Sequence, residues 1–168
     1  MESPDTDHPL PPLAQQGLVA SQSGDGARAI ALYEQAIATG GEPDPRVHAL
    51  LGSQYAAMGN ADKAEAAFAT AVVIAPQWSV WRFQLGLIQF SMGRPAVALV
   101  VWAPLLELDA SNPLVHYVRG FAVLANDDLA GAQKHFRAGL ACKNENPALV
   151  ADIEGMIARL KAQSHAAG

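Results

Sequence analysis

An all-α solenoid of four helix pairs, closed by one further carboxyl-terminal helix, is what the sequence predicts, and three observations predict it. Gly17, Gly52, Gly86 and Gly120 recur at intervals of 35, 34 and 34 residues, a period that belongs to stacked supersecondary units. Ala29, Ala64, Ala98 and Ala132 keep step with them, and four residues beyond each stands a ring, in turn Tyr33, Phe68, Trp102 and Phe136. Asp44-Pro45, Asn112-Pro113 and Asn146-Pro147 each offer a capping side chain followed by a proline suited to the first helical turn.

The first pair is expected over residues 10–44, with its turn at Gly24, seven residues after Gly17. Gly59, Gly93 and Asp127 hold the same place in the later pairs. The second pair, 45–78, carries Leu50, Leu51, Tyr55 and Met58 at three- and four-residue spacing, which marks helices rather than strands. The third, 79–112, opens less ideally at Trp78-Ser79. Its second helix, Pro95 to Leu108, contains Pro104, which is expected to remove one backbone hydrogen bond and kink the helix near Val100.

The fourth pair spans 113–146. Residues 147–163 place Leu149, Val150, Ile153, Met156, Ile157 and Leu160 on one side and read as an amphipathic capping helix, which a solenoid needs to cover its last apolar face. An amino-terminal arm, residues 1–9, and a tail, 164–168, are expected to be flexible. Each alanine lets two helices approach, and the ring one turn later is expected to fill the gap between neighbouring pairs.

These residues resemble the tetratricopeptide repeat, whose pattern is leucine-glycine, an aromatic three residues on, then alanine, an aromatic, alanine and proline. The second pair carries Leu51-Gly52, Tyr55, Gly59, Ala64, Phe68, Ala71 and Pro76 in that order and spacing. The third keeps Leu85-Gly86, Gly93 and Ala98 but has Gln89 in place of the first aromatic. The first and fourth depart further, with Gln16 and Arg119 before their glycines and Gly139 where the later alanine belongs. The resemblance covers about residues 10 to 146 and implies a right-handed superhelix.

Charged residues make up 16% of the 168 and apolar residues 51%, against about 25% charged in an average soluble domain, so some apolar surface is expected to meet a partner. The net charge of −5, with basic residues scattered singly, argues against nucleic-acid binding, which needs clustered Lys and Arg. The start of the chain lacks the basic and apolar segments of a signal peptide. The most apolar run, Val97 to Leu108, is interrupted and short of the roughly 20 residues that span a bilayer. A cytoplasmic location without membrane insertion is therefore expected.

No enzyme is expected either. His8, His48, His116, His135 and His165 show no metal-ligand spacing, and the glycines stand singly instead of forming a phosphate loop. Cys142, the lone cysteine, reads as a small buried hydrophobe. Asp127-Asp128 and Asn144-Glu145 read as turn and capping residues. Neither a cofactor nor a metal is called for.

In the family resembled, the first helix of each pair lines a concave surface with residues flanking the leucine-glycine pair. Carried over, that surface holds Ala14, Leu18 and Ser21 from the first pair and Ala49, Ser53 and Ala56 from the second. Phe83, Leu87 and Phe90 follow from the third, and Tyr117, Phe121 and Leu124 from the fourth. Members that clamp a terminal carboxylate use Lys, Arg and Asn there, and no such donor is placed on this face. The groove is expected to take a protein or peptide segment with apolar side chains, as an amphipathic helix or an extended strand.

The same residues could instead be covered by the capping helix, by a second copy, or by the arm Pro9-Leu10-Pro11-Pro12-Leu13. Ala96, Val97, Val100 and Ala103 would sit on the usually wet convex side and form the best face for a possible homodimer.

Two functions follow. The first is a chaperone or adaptor that shields a client's apolar segment. Its length, acidity, Arg82-Phe83-Gln84-Leu85-Gly86-Leu87 with Met92-Gly93, and the region from Pro113 onward are similar to the chaperones of bacterial type III secretion translocators. The second is a scaffold that self-associates through Val97 and Val100.

Overall fold

The structure, a computed structural model, describes residues 8–143 and 146–166, with side chains described through residue 162 apart from 144 and 145. Asn144-Glu145 and most of the predicted arm therefore lie outside the described residues. Among those described, every regular element is helical: α1 (Pro12–Gln22), α2 (Gly26–Thr39), α3 (Pro45–Ala57), α4 (Ala61–Ile74), α5 (Ser79–Ser91), α6 (Pro95–Trp102), a 3-10 helix (Ala103–Glu107), α7 (Pro113–Leu124), α8 (Leu129–Ala141) and α9 (Pro147–Ala166). This is an all-α helical repeat fold. The capping helix α9 is longer than its apolar pattern indicates, and residues 164–166 of the expected tail continue it.

The chain divides into two compact units, residues 1–94 and 95–168, so the helices of the third pair, α5 and α6, fall in different units. In the first unit α1 packs on α2 and α3 on α4, while α2 also meets α3 and α4 meets α5. In the second, α7 packs on α8, α8 on α9, and α6 with its 3-10 continuation on α7.

Local chemistry sets the boundaries. Asp44 accepts from the Arg46 amide at 2.9 Å, Asn112 from that of Leu114 at 3.0 Å and Asn146 from that of Leu149 at 3.1 Å, each satisfying an amide that the first turn leaves orphaned. Asp25, Asn60 and Asp128 do the same for the second helices. Trp78 offers α5 no side-chain cap; its ring stacks on Trp81 instead, with centroids 4.9 Å apart. At the hairpin turns Gly24, Gly59 and Gly93 have φ of 82°, 76° and 74°, and Asp127 takes the same left-handed conformation at 60°, which costs an ordinary residue about 1–2 kcal/mol.

The alanine and ring ladder is the core. Ala29, Ala64, Ala98 and Ala132 are fully buried, and so are Tyr33, Phe68, Trp102 and Phe136. The rings of Tyr33, Phe68 and Phe136 pack within their own pairs. Each lies on the glycine of its own pair: a Cβ added at Gly17 would come within 2.6 Å of Tyr33, and one at Gly52 within 2.9 Å of Phe68, with Phe136 placed likewise on Gly120. The missing side chain lets the two helices of a hairpin close on a ring, and burying each ring contributes roughly 1.5–3 kcal/mol.

Pro104 does not kink a long helix. The α-helical part of that segment ends at Trp102, and the chain tightens into the 3-10 turn with proline in its opening positions, where a missing N–H has no helical partner to lose.

Candidate functional site

On the first unit, the face made by the first helices of its pairs holds a trough. Its floor is α3, where Ala49 is nearly covered and Ser53 is exposed; small residues at these positions leave the helix surface low. Leu50 and Arg46 of α3, Trp81 of α5 and Leu10 of the arm make the walls around a space of about 360 Å³. Leu10, Arg46 and Trp81 also border a neighbouring cleft of about 810 Å³, reached by Trp78 and by prolines on both sides, among them Pro9, Pro11, Pro43 and Pro45.

Arg46 organises the polar side of this trough. Its guanidinium grips both carboxylate oxygens of Asp44, with Nη2 at 2.7 Å from Oδ2, and its Nη1 donates to the His8 carbonyl at 2.8 Å. Burial alone would raise the Asp44 pKa, but the hydrogen bonds and charge of Arg46 outweigh it and hold the carboxyl below its ordinary range. The Gln15 amide donates to the Leu10 carbonyl at 2.6 Å. Two side-chain donors therefore hold the arm by its backbone.

Of the groove residues expected from the sequence, Ala49 and Ser53 line this trough, and Leu18, Ala56, Leu87 and Phe90 are partly exposed on the first unit. Four are not surface residues. Ala14, Phe83 and Tyr117 are wholly covered and Phe121 is 1% exposed. The physical reason is register: positions three before the glycine share its buried side. Phe121, one residue after Gly120, is drawn inward by rings, 5.1 Å from Trp102 and 4.9 Å edge-on to Phe136. Leu124 stays half-buried on the second unit.

The expectation that no donor stands on this face is corrected by Arg46. Arg46, Trp81 and Leu10 are trough residues that reading outward from leucine-glycine missed; the pair Trp78 and Trp81, three residues apart at the start of a helix, was the available signal. On α6 and the 3-10 turn, Val100 is 75% and Val97 43% exposed, and Ala103 is exposed.

Other polar groups make contacts within the fold. The Tyr55 hydroxyl donates to Glu34, which with burial pushes its pKa up to about 12, and Lys63 sits over its ring. Gln89, in the aromatic's place, is buried and donates to Glu65 at 3.0 Å; Glu65 also pairs with Arg94 at 2.5 Å. His116 contacts the Ala110 carbonyl through Nε2, and burial lowers the pKa of His48 and His135. Cys142 is half-buried rather than buried, with its thiol on the Ala138 carbonyl. Among the described residues there is no group of three or more His, Cys, Asp or Glu that could hold a metal ion, and no helix is long and apolar enough to cross a membrane.

Residues 20–84 match the model of a tetratricopeptide repeat family. No curated protein sequence matches the chain. Among solved structures, a thermophilic tetratricopeptide-repeat protein of Thermus thermophilus is similar at 18% identity and a TM-score of 0.68, over 90% of this chain and 81% of that one. MamA of Desulfovibrio magneticus RS-1, from residue 41 to its end, is similar at 12% identity and a TM-score of 0.66, over 94% and 88%. PilF of Pseudomonas aeruginosa is similar at 18% identity and 0.64, over 90% and 72%. The class is thereby defined at the level of fold: an all-α helical repeat like those of solved tetratricopeptide-repeat proteins, with residues 20–84 matching that repeat's family model.

Proposed function

We propose that this chain is a non-catalytic binding module that holds an apolar or amphipathic segment of a partner protein on the first-helix face of residues 1–94. The observation that carries the reading is the trough itself. A floor of Ala49 and Ser53 between Trp81, Leu50 and Leu10 leaves about 360 Å³, room for one or two apolar side chains, and opens onto the larger cleft beside Trp78. Apolar walls with a few placed donors are the ordinary composition of a site that binds a segment of chain.

A chaperone or adaptor of the secretion type is the role this suits, shielding a client's segment until it is handed on. We place it in the cytoplasm, as the single cysteine and acidic composition favour. Charge substitutions at Phe83 or Phe121 would test folding, since both are buried. The informative experiment is co-purification and identification of the client, followed by Ser53→Arg. Loss of client capture with an unchanged circular dichroism melt supports the trough; undiminished capture overturns it.

A second reading, a scaffold built by self-association, is favoured by the exposure of Val100 at 75% and Val97 at 43% on α6. Light scattering on Val100→Glu separates the two, because only the scaffold requires an oligomer that this change dissolves.

A further inference from the structure

The segment His8 to Pro11 has no regular secondary structure, with a bend at His8, and Pro11 has φ −50° and ψ 143°, close to polyproline II. It borders the trough through Leu10 and the neighbouring cleft through His8, Pro9, Leu10 and Pro11. Its Leu10 side chain is a wall of the trough and packs against the core of the first unit. The carbonyls of His8 and Leu10 accept from Arg46 Nη1 at 2.8 Å and Gln15 Nε2 at 2.6 Å. We propose that this arm is a displaceable wall of the trough, and that the partner which displaces it is an extended segment bearing proline and leucine.

The proposal deepens the segment-binding reading and rests on it. Three features choose the partner's chemistry. A polyproline-type strand presents carbonyls while its prolines lack N–H groups, and the two anchors seen here are donors. Trp78 and Trp81 stack with centroids 4.9 Å apart beside the cleft, the kind of aromatic lining on which proline rings dock. The sequence already seated there, His8-Pro9-Leu10-Pro11, is itself of this kind. An incoming segment that bonds to the same two N–H groups takes them from the carbonyls of Leu10 and His8.

The test measures binding of a labelled hexapeptide with the sequence of residues 8–13 to the full-length protein and to full-length Leu10→Asp, by fluorescence anisotropy. Loosening the arm should tighten peptide binding at least tenfold, and Trp81→Ala should abolish it in both backgrounds. Leu10→Ala is the milder companion, expected to shift affinity in the same direction, should Leu10→Asp not fold. Equal or weaker binding to the Leu10 variants, or binding to none of the proteins, overturns the proposal. A concentration-dependent dimer of the unmodified protein that Leu10→Asp dissolves also overturns it, by placing the arm in a second copy. If the peptide test fails while Ser53→Arg still blocks client capture, this inference falls and the segment-binding reading stands; if Ser53→Arg has no effect, that reading falls as well.

Discussion

The ring of Tyr117 lies over the backbone of Gly139, in the space that a Cβ on Gly139 would need. The same two positions, 22 residues apart, are Ala14 and Ala36 in the first pair and Ala49 and Ala71 in the second, all buried. The fourth hairpin has thus exchanged two small residues for a large one and none. Gly139→Ala should destabilise the protein by about 1–2 kcal/mol, an overpacking cost partly offset by the better helix propensity of alanine. Tyr117→Ala alone should cost about 3–5 kcal/mol, and the double variant less than the sum. Urea melts of the cycle measure the coupling.

Asp127 adopts with a side chain what Gly24, Gly59 and Gly93 adopt without one. Asp127→Gly should therefore stabilise by about 0.5–1 kcal/mol, relief of left-handed strain less the added freedom of the unfolded chain. Calorimetry should read this as a rise in Tm of about 1–4 °C.

Glu65 is the partner of the buried Gln89 amide, whose Oε1 already has no hydrogen-bond partner. Glu65→Ala should cost about 1–3 kcal/mol by stranding Gln89 Nε2. Glu65→Ala with Gln89→Leu should recover part of that loss, since no orphaned amide remains. The Arg94 hydrogen bond, against the opposing pull of burial, holds the Glu65 pKa below its ordinary value of 4.5. Its folded pKa is the lower one, so its contribution is present above pH 4.5 and is lost as pH falls through the folded value; Glu65→Gln should flatten that acid limb in chemical denaturation.

The Tyr55 hydroxyl, donating to Glu34, is pushed up to about 12 from 10.0. The folded state favours the protonated phenol, so this stability is complete below pH 10 and disappears as pH rises toward 12. Tyr55→Phe should lower stability at neutral pH by about 1–2 kcal/mol. It should also remove a component of tyrosinate absorbance at 295 nm that titrates near pH 12.

Turns and caps were legible in the sequence because they are local: a glycine that needs positive φ, or an asparagine before proline, states its role within a few residues. The helical repeat was legible for the same reason, through the recurrence of Gly17, Gly52, Gly86 and Gly120. The site was less so. Whether Phe121 faces solvent depends on Trp102 and Phe136, which lie far along the chain, and its ring is more favourably buried than a groove position allows. Gly139 looked like a departure from the pattern and is instead the complement of Tyr117. Leu10 and Arg46 reach the trough from the arm and the first turn of α3, outside the positions that flank leucine-glycine.

The central claim is that a partner's segment lies against the floor of α3. A photoreactive residue placed at Ser53, and in a separate protein at Val73, which is 81% exposed, tests it most directly with the co-purified client. Crosslinks from position 53 and none from position 73 are predicted; client captured from 73 and not from 53 would contradict the account.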